Sequence, residues 1–274
     1  MKIDFFTFLG PNSAEYAEFL KYTCEKFLSG CHEINWRCID SVGCDRIPQG
    51  YKLVDKSIDV GHPSMNHAAA ITLAQQYIES EYVIFADCDI AILYKNWDHV
   101  IINELNKVDF FGGTFGMTKK YKNFPSVYFF SFRSYILDRI KLDFYPKLQR
   151  NAARFAKYKL SEDECYYLKM RNGSVIRCDT GWSIPFQIRK TGFTFDIMES
   201  VNMYSKKSQM SFEDEKHKDL CMKHPGHMSE WHYKGKLFAS HRHASYGFSM
   251  KSILGDAWKR KVDLYIKSYK EEIS

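Results

Sequence analysis

The sequence predicts an α/β fold: a mixed, mostly parallel sheet flanked by helices, followed by a loop-rich C-terminal region. Three observations predict it. Strand-like and helix-like segments alternate through the first hundred residues, as in domains built from strand–helix–strand units. Tyr82–Ala86 is apolar throughout, as a strand buried on both faces of a parallel sheet must be. No Pro/Gly/Ser-rich linker or internal repeat divides the 274 residues, so they read as one domain over 1–274.

The first strand is Ile3–Leu9, apolar and β-branched, closed by Gly10-Pro11. Asn12 is placed to cap a helix, with Glu15 three residues on. That helix carries Tyr16, Phe19, Leu20, Thr23 and Phe27 on one face. Ile34–Asp40 is the second strand, ended by Ser41-Val42-Gly43, and Tyr51–Val54 a short third. Ser64 is the expected cap of a helix whose inner face is Ala70, Leu73, Ala74, Tyr77 and Ile78. Beyond Tyr82–Ala86 the pattern loosens. Phe110–Thr114, Pro125–Phe132 and Ser174–Cys178 read as strands, and Ser134–Lys159 as mostly helix. Residues 202–245 are polar and read as loop; a last helix spans Ser252–Tyr269.

Composition excludes several classes. Hydrophobic residues are 45% and charged residues 26%, enough apolar content for an ordinary core and too much for a disordered chain. Apolar runs such as Tyr82–Ala86 and Ile90–Leu93 fall far short of the roughly 18 residues a membrane span needs. The N-terminus has Asp4 and only a short apolar run, unlike a signal peptide. The eight cysteines include no Cys-x-x-Cys pair and read as reduced thiols of a cytoplasmic protein. The net charge of +6 suits a phosphate-bearing ligand. It is carried in short clusters, such as Lys119, Lys120 and Lys122, rather than in a nucleic-acid-binding stripe.

The most informative stretch is Tyr82-Val83-Ile84-Phe85-Ala86-Asp87-Cys88-Asp89. A buried strand runs straight into two acids one residue apart. Ligands of open α/β sheets bind beyond the carboxyl ends of the strands, and residues i and i+2 of extended chain point the same way. Asp87 and Asp89 are therefore expected to face one ligand together. Their mutual repulsion calls for a cation, and oxygen ligands suit Mg²⁺ or Mn²⁺, ions that bridge carboxylates to diphosphates. Asp-x-Asp alone is a weak pattern; its place at the end of an apolar strand makes it specific.

At this point the chain resembles the metal-dependent glycosyltransferases of the GT-A fold, whose hallmark is an Asp-x-Asp motif at a strand end. Tyr82–Leu93 is similar to that family's form of the segment. Asp40–Asp45 looks like its acidic turn after the second strand, and Gly61–Ala70 like the segment leading into its nucleotide-side helix. The resemblance is good over residues 1–135 and loose over 136–274. It implies a nucleotide-binding first half, an acceptor-side second half with a lid, a nucleotide-diphosphate sugar donor, usually a uridine diphosphate sugar, and usually Mn²⁺ (or Mg²⁺). Carried over by position, Asp87 would touch ribose or metal, Asp89 would ligate the metal and Asp40 would hold the base. Asn66 and His67 would lie near the ribose or phosphates.

Some members of that family take a further metal ligand from a histidine near the C-terminus. His241 and His243 lie 152 and 154 residues after Asp89 and share a face of an extended segment, with Arg242 opposite; His241 is the first choice. Cys221, His224, His227 and His232 cluster without the spacing of a common zinc finger, and a His-rich lid is the preferred reading. Asp179, in Asp179-Thr180-Gly181-Trp182, is the favoured catalytic base, beside an indole able to stack on a sugar ring. Asp163, in the acidic run Glu162-Asp163-Glu164, is its rival.

The expected reaction moves a sugar from the diphosphate to an acceptor hydroxyl. The acceptor is a glycan or protein hydroxyl, or a hydroxymethylated base in DNA as in some bacteriophage enzymes. Two other classes stay open on the sequence. A metal-dependent nuclease or phosphotransferase would add Glu162 and Glu164 to the acid pair. A non-catalytic binding module would leave the acids structural.

Overall fold

The computed structural model describes residues 1–114, 124–146, 180–202, 206–210, 228–242 and 253–271. Its strands are β1 (Lys2–Leu9), β2 (Glu33–Asp40), β3 (Lys52–Lys56), β4 (Tyr82–Asp87), β5 (Ile90–Ile92), β6 (Phe110–Gly113), β7 (Phe129–Arg133), β8 (Phe195–Asn202), β9 (Met228–Tyr233) and β10 (Lys236–Arg242). Its helices are α1 (Ala14–Phe27), α2 (Pro63–Ala74), α3 (Trp97–Leu105), α4 (Ile184–Thr191) and α5 (Ile253–Glu271). The fold is mixed α/β, with the ten strands in one sheet of order β3-β2-β1-β4-β7-β6-β8-β9-β10-β5.

The first four strands pair in parallel: β3 with β2, β2 with β1, and β1 with β4. All of their carboxyl ends therefore meet at one edge, where Leu9 stands opposite Asp40 and Phe8 opposite Asp87. β7 runs antiparallel to β4 and β6, and β8 to β9 to β10 to β5 is an antiparallel run. β10 thereby returns to the segment just after β4, pairing His241 with Ile90.

Two apolar clusters cover the two faces of the sheet. One gathers Phe5, Tyr16, Leu20, Ile84, Trp97 and Trp258 around α1, α3 and α5. The other gathers Phe6, Ile71, Phe85, Phe132 and Phe144 around α2 and α4. β4 feeds both, Ile84 to one side and Phe85 to the other, which is why its sequence does not alternate. Phe85 is 1% exposed and meets Phe6, Phe8 and Phe132 edge-on at 5.6, 5.7 and 5.3 Å. Phe85→Ala is expected to cost about 3–5 kcal/mol in urea unfolding. A loss below about 1 kcal/mol would mean that this ring is not the packing centre described.

Several local expectations are corrected. Asn12 does not cap α1: it takes the left-handed conformation at φ 61°, open to Asn at little cost, and Ser13 is the residue at the cap. The Ser13 hydroxyl accepts from the Gly10 amide at 2.8 Å and donates to the Gly10 carbonyl at 2.6 Å, closing the turn instead. Ser64 does not cap α2. His62 does, its Nδ1 accepting from the Ser64 amide at 3.2 Å, with Pro63 preset for the first turn.

Among the described residues of the expected helix Ser134–Lys159, the helical part is the 3-10 turn Ser134–Asp138. Residues 141–146 then alternate exposed and buried, sinking Leu142 and Phe144, and that period of two demands extended chain. Residues 147–159, like the expected strand Ser174–Cys178, lie outside the described residues. α4 and β8 went unread in the sequence. The described end of the expected loop 202–245 is the hairpin of β9 and β10. Among the described residues no helix is long and apolar enough to cross a membrane, and Cys24, Cys31, Cys38, Cys44 and Cys88 are free thiols.

Candidate metal centre

β4 ends on Asp87, Cys88 begins a turn, and β5 starts at Ile90, so Asp87 and Asp89 flank the turn. Two backbone bonds fix this corner. The Asp87 amide donates to the Tyr128 carbonyl at 2.9 Å, and the Arg242 amide donates to the Asp89 carbonyl at 2.9 Å. The second bond, with the His241–Ile90 pairing, sets a side chain 152 residues away beside the acids. His241 Nε2 lies 3.2 Å from Asp89 Oδ1 and 3.9 Å from Asp87 Oδ2. One ligand atom from each of Asp87, Asp89 and His241 falls within 4.8 Å of the others.

Two carboxylates and one imidazole form an oxygen-and-nitrogen donor set suited to a divalent cation. The Asp89 and His241 side chains are only 4% and 1% exposed, whereas that of Asp87 is 19% exposed. The open side of the cluster is therefore the Asp87 side. His67, one turn into α2, stands on that side with Nε2 3.1 Å from Asp87 Oδ1, its ring edge-on to Phe8 at 5.5 Å. Arg242 points the opposite way, as strand alternation requires, and its guanidinium lies 5.6 Å from the Tyr16 ring. Burial pushes the Tyr16 hydroxyl well above the ordinary phenol range, against the opposing pull of Arg242.

The other expected residues fall as follows. Asp40 sits at the same carboxyl edge, 3% exposed, and its Oδ1 accepts the amides of Gly43 and Cys44 at 2.8 and 2.9 Å. Its visible work is to hold the turn, as Asp side chains do before a Gly-containing bend. Asn66 is 2% exposed; it accepts from the Val60 amide at 2.8 Å and donates to Asp59 at 2.8 Å, tying down the loop before α2. Asp179, Asp163, His243, Glu162, Glu164, Cys221, His224, His227 and the Lys119–Lys122 cluster lie outside the described residues. His232 is described: its ring turns inward to Glu230 at 2.8 Å.

Sequence reasoning missed the rings around His241. Trp231 is 5.4 Å from it and Tyr128 5.3 Å, centroid to centroid. The one signal available was the alternation Trp231, Tyr233 beside Leu237, Ala239, His241, which marks a hairpin face.

No family model matches the chain, and no curated protein matches it. Among solved structures it is similar to S. aureus TarS 1-349, with 16% identity and a TM-score of 0.38, covering 53% of this chain and 50% of that one. TarS 1-349 has also been solved with UDP-GlcNAc and with UDP. The mannosyltransferase PcManGT of Pyrobaculum calidifontis, in complex with GDP-Man and Mn²⁺, matches at 13% identity and TM-score 0.37, over 52% of this chain and 47% of that one. The glycosyltransferase GlyE of Streptococcus pneumoniae TIGR4 matches at 10% identity and TM-score 0.42, over 98% of this chain and 63% of that one. The chain thus spans less than two-thirds of the length of each.

Proposed function

We propose that the chain is a metal-dependent glycosyltransferase, taking a sugar from a nucleotide-diphosphate donor, by preference a UDP-sugar, to an acceptor hydroxyl. The observation that carries this reading is the meeting of Asp87, Asp89 and His241 at the carboxyl edge of β4. The resemblance of Tyr82–Leu93 to the Asp-x-Asp segment of the GT-A family supplies the sugar.

Asp87, Asp89 and His241 would hold the cation, Mn²⁺ in the first place and Mg²⁺ in the second. Held there, it would supply positive charge to offset the charge that grows on the diphosphate as the sugar leaves. The β5–β10 pairing and the bond from the Arg242 amide to the Asp89 carbonyl hold the backbones of His241 and Asp89 side by side. His67, beside Asp87, is proposed to lie near the ribose or phosphates, and Asp40 to hold the base. The acceptor oxygen bonds to the anomeric carbon, the bond from that carbon to the diphosphate oxygen breaks, and the hydroxyl proton passes to a carboxylate. Asp179 is proposed as that base ahead of Asp163. Attack opposite the leaving group inverts the anomeric configuration; attack from its own side retains it.

Many transferases leak donor to water, so a panel of nucleotide sugars incubated with the chain tests the reading. One donor should be hydrolysed slowly with Mn²⁺ and not with EDTA. No hydrolysis and no Mn²⁺-dependent binding of any donor would remove the proposal. The acceptor separates by salt. A DNA acceptor would lose affinity steeply as salt is raised, since phosphate contacts release counterions, and a glycan acceptor would not.

A further inference from the structure

The third member of the cluster is an imidazole, and a ring ligand works only when its nitrogen is aimed. Backbone pairing places the Cα of His241; it does not fix the ring. Besides the two acids, two aromatic side chains flank the ring among the described residues. Trp231 stands opposite Ala239 in the β9–β10 register, so it is the diagonal neighbour of His241 on the same face, within reach for a large ring. Its indole is fully buried, 5.4 Å from the imidazole at 36°. On the neighbouring β4–β7 side, the Tyr128 ring lies 5.3 Å from the same imidazole at 51°. Tyr128 also accepts the Asp87 amide through its carbonyl, so one residue touches the placement of an acid and of the histidine.

The indole itself is held. Its nitrogen donates to the Thr114 carbonyl at 2.8 Å. Its face fills the space over Gly113, the last residue of β6. A Cβ at Gly113 would run into the ring system, 2.6 Å from the indole nitrogen. Gly113 has no positive φ to explain it, so the reason for a glycine here is room for Trp231. Gly113, Trp231, His241 and Tyr128 thus form one stack from β6 across β9 and β10 to the approach to β7.

We propose that Trp231 and Tyr128, with the space left by Gly113, are positioning residues that aim the His241 ring and thereby set the preference of the site for Mn²⁺ over Mg²⁺. The inference rests on the metal-binding reading above. Its chemistry is specific: imidazole strengthens binding of Mn²⁺ more than of Mg²⁺, which keeps to oxygens and water. Loosening the ring should therefore weaken the two ions unequally. General damage to the corner would weaken both alike.

Two variants reach the stack from opposite sides: Gly113→Ala pushes the indole away, and Trp231→Leu removes it. Each is checked for fold by circular dichroism, and whichever is folded is read. Mn²⁺ affinity is measured on the full chain from the free-ion signal in electron paramagnetic resonance, and Mg²⁺ affinity by competition against it. The expected result is a loss of about tenfold or more in Mn²⁺ affinity, in the range for residues that orient a ligand, with Mg²⁺ changed about twofold or less. Tyr128→Leu should act in the same direction, and Tyr128→Phe, which keeps the ring, should restore wild-type affinity. Unchanged Mn²⁺ affinity in the variants, or equal loss of both ions, overturns the positioning role while leaving the metal site standing. A wild-type chain that binds no Mn²⁺ overturns the metal reading and this inference with it.

Discussion

Asp89→Asn is expected to abolish Mn²⁺-dependent donor binding, lowering metal affinity by roughly a hundredfold or more while the chain stays folded. The estimate starts from the tenfold to hundredfold cost of losing residues that merely orient ligands; losing a ligand itself should cost at least the upper figure. The side chain is 4% exposed and faces His241 at 3.2 Å, so an amide of the same shape keeps the packing and loses the charge. Calorimetric titration with Mn²⁺ and a UDP-sugar reads the effect, and circular dichroism checks the fold. Wild-type donor affinity in this variant would refute the role assigned to Asp89.

A stability effect as large as that of Phe85→Ala is expected at Glu230. Its carboxylate is fully buried and accepts from the Gln209 and Met210 amides at 2.9 and 3.0 Å and from the Ser208 hydroxyl, and it pairs with His232 at 2.8 Å. Those bonds fasten residues 208–210 to β9, the strand that supports β10. Glu230→Ala would leave several buried donors without an acceptor and is expected to cost about 3–5 kcal/mol. Urea unfolding with tryptophan fluorescence measures it. A cost below about 1 kcal/mol would show that water replaces the carboxylate freely and that the clip is not what holds this segment.

The same buried polar residues explain which parts of the fold were legible. α1 and β4 announce themselves because their buried residues are almost all apolar, at helical spacing in α1 and as an unbroken run in β4. In β9 and β10 the buried positions include Ser229, Glu230, His232, Ser240, His241 and Arg242. Glu230 and His232 pair with each other, Ser240 accepts from the Trp258 indole and His241 faces the acid corner, so a reading by hydropathy takes the segment for a loop. The stretch after the Ser134–Asp138 turn, expected as helix, shows its extended chain in the alternation of Leu142 and Phe144 with exposed neighbours.

The candidate site divides along the same line. Asp87 and Asp89 were visible because strand, turn and acids are contiguous. His241 could be named by its place in the chain, but its pairing with Ile90 depends on the topology of β10 and on no local signal. The rings of Trp231 and Tyr128 and the room at Gly113 come from three separate segments, and only their packing brings them together.

The most direct test is an anomalous difference map at the manganese edge, from a crystal grown with Mn²⁺ and a UDP-sugar. The account predicts one strong peak roughly 2 Å from an oxygen of Asp87, an oxygen of Asp89 and Nε2 of His241, with diphosphate oxygens completing its coordination. A donor bound elsewhere, or a map with no peak among these three side chains, would contradict it.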